Sequence, residues 1–200
     1  MTTARDLLIV SLDVPSGRPV ERGDLSLALA GAELVDLLAA GAVTLDDERI
    51  VAGLVPATGD RLLDEAGAAL VRQAPYESVE DWLWRRGDGL AAAHAAELEA
   101  EERVGRPHHR LLSTGGRDTP AESPARARAA ERWASREPVL AALAAALGIP
   151  EGAADEPPVP ADESVVTVLA AVNGALTELE AVRQRRRVED AAFDNVWRGF

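Results

Sequence analysis

The chain has 200 residues, 47% of them hydrophobic but only 4% aromatic, with no cysteine and a formal net charge of −13 at pH 7. That length suits one medium-sized domain with a real core, and the missing cysteine excludes a disulfide scaffold, thiolate catalysis and cysteine-based zinc sites. The acidity excludes a general nucleic-acid binder, because a phosphate backbone needs a basic face.

Alanine dominates the apolar share, which favours closely packed helices over a sheet of β-branched and aromatic residues. Residues 3–11 read as a short helix or strand, since Leu7, Leu8, Ile9, Val10 and Leu12 are too continuous for periodicity to decide. Residues 13–24 are a loop punctuated by proline and glycine. Asp24 or Ser26 can cap the next helix, over residues 25–42. Leu27, Gly31, Leu34, Val35 and Leu38 form one stripe of it, with Glu33 and Asp36 as a narrow polar face, so this helix should be central. Gly41 supplies a left-handed stop. Residues 43–51 carry the clearest strand signal, two short arms flanking the acidic turn Asp46-Asp47-Glu48. Thr58-Gly-Asp60 opens another helix, with Leu62, Leu63, Ala66, Ala69 and Leu70 at helical spacing. Ser78-Val-Glu-Asp81 resembles a capping box ahead of Trp82-Leu83-Trp84. Arg85-Arg-Gly-Asp-Gly89 interrupts the pattern before an alanine-rich helix over residues 90–104.

Residues 108–112 read as a short strand and 113–124 as a loop. Residues 125–147 are helical, with a break near Glu137-Pro138, and 150–161 form a solvated linker. Val165, Val168, Leu169, Val172, Leu176 and Leu179 then recur at core spacing. Residues 183–200 read as a charged helix carrying Phe193 and Trp197. No apolar run approaches the roughly 18 residues of a membrane-spanning helix, and no signal-peptide pattern opens the chain. The expectation is a soluble, cytoplasmic chain without a transmembrane segment.

Catalytic parts are hard to find. Thr114-Gly-Gly116 and Gly87-Asp-Gly89 lack the strand–glycine–helix context of a phosphate loop and read as turns. His108 and His109 are adjacent and diverge on any regular element, which is poor chelating geometry. His94, with Glu97 three residues on, reads as a solvated helical contact. The reading is therefore no catalytic residue, no metal site and no cofactor. Charge is more informative. All 21 basic residues are arginine, a composition typical of GC-rich bacterial genomes. Residues 103–136 hold 8 arginines against 3 acids, whereas residues 1–102 hold 8 against 20 and residues 137–200 hold 5 against 11. This basic island is a candidate anion-binding surface; the alternative is that its arginines pair with acids elsewhere on the fold.

Three strings carry a family resemblance. They are Leu29-Ala-Gly31-Ala-Glu-Leu34-Val-Asp36-Leu37-Leu-Ala-Ala-Gly41-Ala-Val43 with its hairpin, Thr58-Gly-Asp-Arg-Leu-Leu-Asp-Glu65, and Val79-Glu-Asp-Trp82-Leu83. In this order and spacing they resemble the Golgi phosphoprotein 3 family, including its actinobacterial members, over residues 7–182. Each string also has a structural reading. Gly31 admits a close helix, Gly41 ends one, Thr58-Gly-Asp60 starts one, Leu62 and Leu63 are core, and Trp82 is a packing anchor.

The resemblance implies one mainly α-helical globular domain, residues 1–200, with a small β-hairpin. It implies a peripheral, non-enzymatic membrane protein, since the eukaryotic relatives recognise phosphatidylinositol 4-phosphate and tether glycosyltransferases to Golgi membranes. Their headgroup pocket uses a tryptophan before the central helix, an arginine inside it and two basic residues on a later helix. Here the loop Arg18-Pro-Val-Glu-Arg-Gly-Asp24 has no tryptophan, and Ala30 stands at the arginine position. Arg126 and Arg128 align with the two later basic residues. Arg132 adds charge from the same helix, Arg22 and Arg117 could converge from loops, and Trp133 could supply an interfacial aromatic. At ~100° per residue, Arg128 and Arg132 share a helical face and Arg126 lies about 160° from Arg128. The relatives self-associate through the hairpin, which is shortened here, so self-association should be weak. A soluble helical protein-interaction module that has lost the lipid site is the alternative function, and a small-molecule pocket protein a third.

Overall fold

The computed structural model describes residues 2–16, 18–54, 56–104, 123–150 and 160–198, with backbone only at 104 and 191–198. The expected strand at 108–112, most of the loop at 113–124, Arg117, most of the linker at 150–161 and the side chains of Phe193 and Trp197 lie outside the described residues. In chain order the elements are α1 (Thr3–Asp13), α2 (Arg22–Ala39), β1 (Val43–Asp46), β2 (Arg49–Ala52), α3 (Arg61–Ala68), α4 (Val79–Gly87), α5 (Leu90–Val104), α6 (Pro124–Ala134), α7 (Pro138–Ala146) and α8 (Glu163–Arg198). The fold is mainly α, with a two-stranded antiparallel hairpin in the register Asp46↔Arg49 to Val43↔Ala52.

α2 is the hub, packed by α1, α3, α4, α5, α7 and α8. Leu27, Leu29, Leu34 and Leu37 are buried on it, as a helix apolar nearly all round must be. It begins at Arg22, three residues before the sequence places it, so Asp24 lies in its first turn and no side chain caps it. Ser26 has a different partner: its buried hydroxyl accepts from the Ala91 backbone N–H at 3.1 Å. It therefore satisfies an otherwise orphaned donor in the first turn of α5. The expected stop at Gly41 is present. Gly41 has φ +66°, and Ala42 N–H and Gly41 N–H donate to Leu37 and Leu38 carbonyls, which closes the last turn in a Schellman motif.

The remaining strings fold as their local chemistry dictates. Asp60 accepts from Leu63 N–H at 3.1 Å, while Thr58 donates both its backbone N–H and its hydroxyl to Asp64. Those bonds, the backbone one foremost, hold the Asp64 carboxyl below the ordinary aspartate range. Ser78 Oγ accepts from Asp81 N–H at 3.0 Å, which starts α4 and buries Trp82 completely. The Trp82 indole donates to the Ala30 carbonyl at 3.1 Å. Backbone bonds Ile50 N–H to Glu77 and Val79 N–H to Glu48 dock the hairpin on the start of α4.

Residues 163–198 form one helix of 36 residues rather than two, roughly 54 Å long at 1.5 Å per residue. Within Glu163–Asp190, one 18-residue window has a mean hydropathy of 1.5 and, by length and composition only, is apolar enough to cross a membrane. Within the fold, Val168, Leu169, Val172 and Ala175 of that stretch are buried and α8 packs on α2 and α4. Its apolar stripe is a core stripe.

Candidate functional site

Two polar constellations stand out. The first is buried. Glu33 is 1% exposed and takes Arg86 Nε on Oε2 at 2.7 Å and Arg86 Nη2 on Oε1 at 3.0 Å. His94 Nε2 lies 3.0 Å from Glu33 Oε1, with the imidazole 5% exposed. Arg86 Nη2 also donates to the Leu62 carbonyl. One carboxylate thus ties α2 to α3, α4 and α5. This corrects one expectation from the sequence: His94 is a buried partner of Glu33 rather than a solvated contact of Glu97. A cavity of about 140 Å³, lined in part by Arg5, Asp60, Arg61, His94, Glu97 and Glu101, adjoins the imidazole. Arg5 pairs with Glu101 and Arg61 with Glu97. Among the described residues no group of three or more His, Asp or Glu side chains could hold a metal ion.

Asp36, one turn further along α2, accepts from Ala4 N–H at 3.3 Å. Burial pushes its carboxyl up from 3.8 to about 6, against the hydrogen bonds from Thr3 and Ala4 and the charge of Arg132. A raised folded-state value means the folded chain keeps a proton that the unfolded chain has lost. The stability this gives is complete below about pH 4 and is lost as pH rises through about 6. Asp36→Asn should therefore stabilise the protein by about 2–3 kcal/mol at pH 7. The gain should vanish near pH 4 when urea unfolding is measured at both values.

The second constellation is the set of arginines. Arg126 donates to Asp13, at the end of α1, and to Glu102 of α5 at 2.8 Å. Arg132 bridges the fully buried Asp6 at 2.5 Å and Glu137 at 2.8 Å. For these two the island's charge is spent inside the fold. A charge reversal at Arg132 would strand Asp6 and lower stability, so it is no neutral surface change. Trp133 is half-buried and packs against the core. Arg128 is different: it is exposed, and among the described residues its guanidinium donates only to the Pro124 carbonyl, at 2.9 Å. Arg22 is exposed on the first turn of α2, not on a loop.

Chain direction gathers the basic side chains at one end of the bundle. The Arg126–Asp13 pair brings the start of α6 to the end of α1. The Arg183 guanidinium grips Asp24 through both carboxylate oxygens, at 2.7 and 2.9 Å, so α8 passes the start of α2. An open groove of about 790 Å³ lies there between residues 18–24, the end of α7 and residues 180–187. Arg18, Arg22 and Arg186 are exposed and have no ion-pair partner among the described residues. Arg18 and the run Arg183-Gln-Arg-Arg-Arg187 do not stand out in the sequence, because each lies in a segment that is net acidic, residues 1–102 and 137–200 respectively. The opposite end of α2 carries the hairpin with Asp46, Asp47 and Glu48. At position 30, the alanine is fully buried and its carbonyl is taken by Trp82, which leaves no room for an arginine.

No curated protein and no solved structure matches the chain. Residues 4–196 match the family described as Golgi phosphoprotein 3 (GPP34). That match spans nearly the whole chain, and the helix hub, the hairpin and the Asp60 and Ser78 caps are the structure behind the three strings. The chain belongs to the Golgi phosphoprotein 3 family.

Proposed function

We propose that the protein is a non-enzymatic peripheral module that sets the α2 N-terminal end of the bundle on anionic phospholipid headgroups at the cytoplasmic face of a membrane. The observation that carries this reading is the charge asymmetry along the bundle. Arg18, Arg22 and Arg128 are exposed and unpaired among the described residues, near the N-termini of α2 and α6, whose dipoles favour anions. The acidic hairpin points the other way. Each basic residue close to an anionic surface contributes about 1 kcal/mol, so the three give weak, oriented attachment in a chain of net charge −13. The buried Ala30 and the absent loop tryptophan favour recognition of surface charge over a stereospecific phosphatidylinositol 4-phosphate pocket.

Vesicle sedimentation tests this. Binding to vesicles rich in phosphatidylglycerol should be clear at low salt and fall steeply by physiological salt, where the screening length shrinks from about 30 Å to about 8 Å. Vesicles carrying phosphatidylinositol 4-phosphate at matched charge should bind equally. The triple variant Arg18→Glu, Arg22→Glu, Arg128→Glu should lose binding while melting as the parent does, because none of the three side chains forms an ion pair that the fold needs. Undiminished binding by that variant would sink the reading. A parent that ignores anionic vesicles at low salt would favour the interaction module, for which the internal pairing of Arg126 and Arg132 speaks.

A further inference from the structure

α8 buries one face and leaves the other bare. At ~100° per residue, Val166, Ala170, Gly174, Thr177, Ala181 and Val188 fall within about 80° of arc, opposite the buried stripe of Val168, Val172 and Ala175. All six are exposed, Val166 at 41% and Val188 at 59%. None carries a charge, although the flanks of the helix are rich in glutamate and arginine. Gly174 lies at one edge of this arc and midway along the stretch from Glu163 to Arg185. A Cβ built there meets nothing within 4 Å, whereas one built on Gly31 would collide with Val172 at 2.3 Å. Packing inside one chain thus gives no reason for Gly174, which weakens a helix interior relative to alanine. Close approach by a second helix does give one.

Charge says which helix. Glu163 opens this stretch of α8, and with Glu48, Glu80 and Glu178 it rims a groove of about 610 Å³ floored by Val166, Ala170 and Gly174; a two-fold axis at Gly174 sets Glu178 opposite the uncharged Ala170 of a second copy. At the other end, Arg185 lies about 20° around the helix from Gly174, is exposed and has no ion-pair partner among the described residues. Glu163 and Arg185, opposite in charge and 22 residues apart, complement each other when two copies run antiparallel, and face like charges when they run parallel. With a two-fold axis beside Gly174, residue 163 of one copy lies opposite residue 185 of the other, so the closest approach falls on the glycine. We infer that α8 is a self-recognition face, on which two copies of this chain pair antiparallel about Gly174 with reciprocal Glu163–Arg185 contacts, a closed isologous dimer. This face is distinct from the hairpin and from Arg18, Arg22 and Arg128, so the vesicle experiment and the dimer can fail separately.

Sedimentation equilibrium of the full chain tests it. The expected mass at high micromolar concentration is twice the 21.1 kDa chain mass. Gly174→Leu should return it to one chain mass with an unchanged helical spectrum, since the added side chain meets open space within the chain. Glu163→Arg and Arg185→Glu should each weaken the dimer at least about tenfold, through two like-charge contacts apiece. Mixing the two single variants should restore parental affinity, because the mixed pair regains both opposite-charge contacts. A chain that stays monomeric at high micromolar concentration overturns the inference. So does a dimer indifferent to Gly174→Leu, or a mixture no tighter than its components.

Discussion

Glu33→Ala is expected to cost about 3–5 kcal/mol of folding stability, a large share of the roughly 5–15 kcal/mol that a domain possesses. The carboxylate is 1% exposed and answers both Arg86 and His94, which are 16% and 5% exposed. Removing it strands a guanidinium in a site that water barely reaches and opens a void between α2, α4 and α5. Glu33→Gln keeps the shape and one acceptor, so it should cost less, with the difference reporting the charge. Glu33→Leu combined with Arg86→Met should recover much of the loss, since an apolar pair leaves no orphaned charge. Denaturant unfolding followed by circular dichroism reads all three. A Glu33→Ala protein within about 1 kcal/mol of the parent would show that the cluster does not hold the hub.

The helices and the hairpin were legible because their signals are local. Gly41, Asp60, Ser78 and the break at Glu137-Pro138 act within one turn of chain, where sequence spacing and physical distance coincide. Long-range pairing is where sequence reading stopped. Asp13 and Arg126 are 113 residues apart and Asp6 and Arg132 are 126 apart, so nothing in either neighbourhood announces the pair. The same limit makes His94 look solvated and leaves the partners of Glu33 and Asp36 unnamed, because helical periodicity shows that a face is polar and not what covers it. Ser26 belongs here too: its sequence context is that of a cap for α2, and its actual donor is 65 residues away on α5. The arginine island was a true excess of charge, but only Arg128 of the three described candidates on α6 leaves its charge outside the fold. Arg22 gained its place at the same end from helix directions that composition does not contain.

Gly31→Ala is expected to destabilise the protein by about 1–3 kcal/mol, although alanine in a helix is intrinsically favoured over glycine by about 1 kcal/mol. The sign is what makes this informative. At an unconstrained helical site, as at Gly174, the same substitution should raise the stability of the single chain. At Gly31 the new Cβ would stand 2.3 Å from Val172 Cγ2, and Val172 is itself fully buried. Neither side chain can swing into solvent, so α2 and α8 must part, loosening the packing of Val168 and Leu83 beside them. Val172→Ala alone should also cost stability, by the cavity it leaves. The double variant Gly31→Ala, Val172→Ala puts one methyl group into the space that the other vacates. Its cost should fall short of the sum of the singles by at least about 1 kcal/mol. Simple additivity in that cycle would mean that the glycine serves something other than the approach of these two helices.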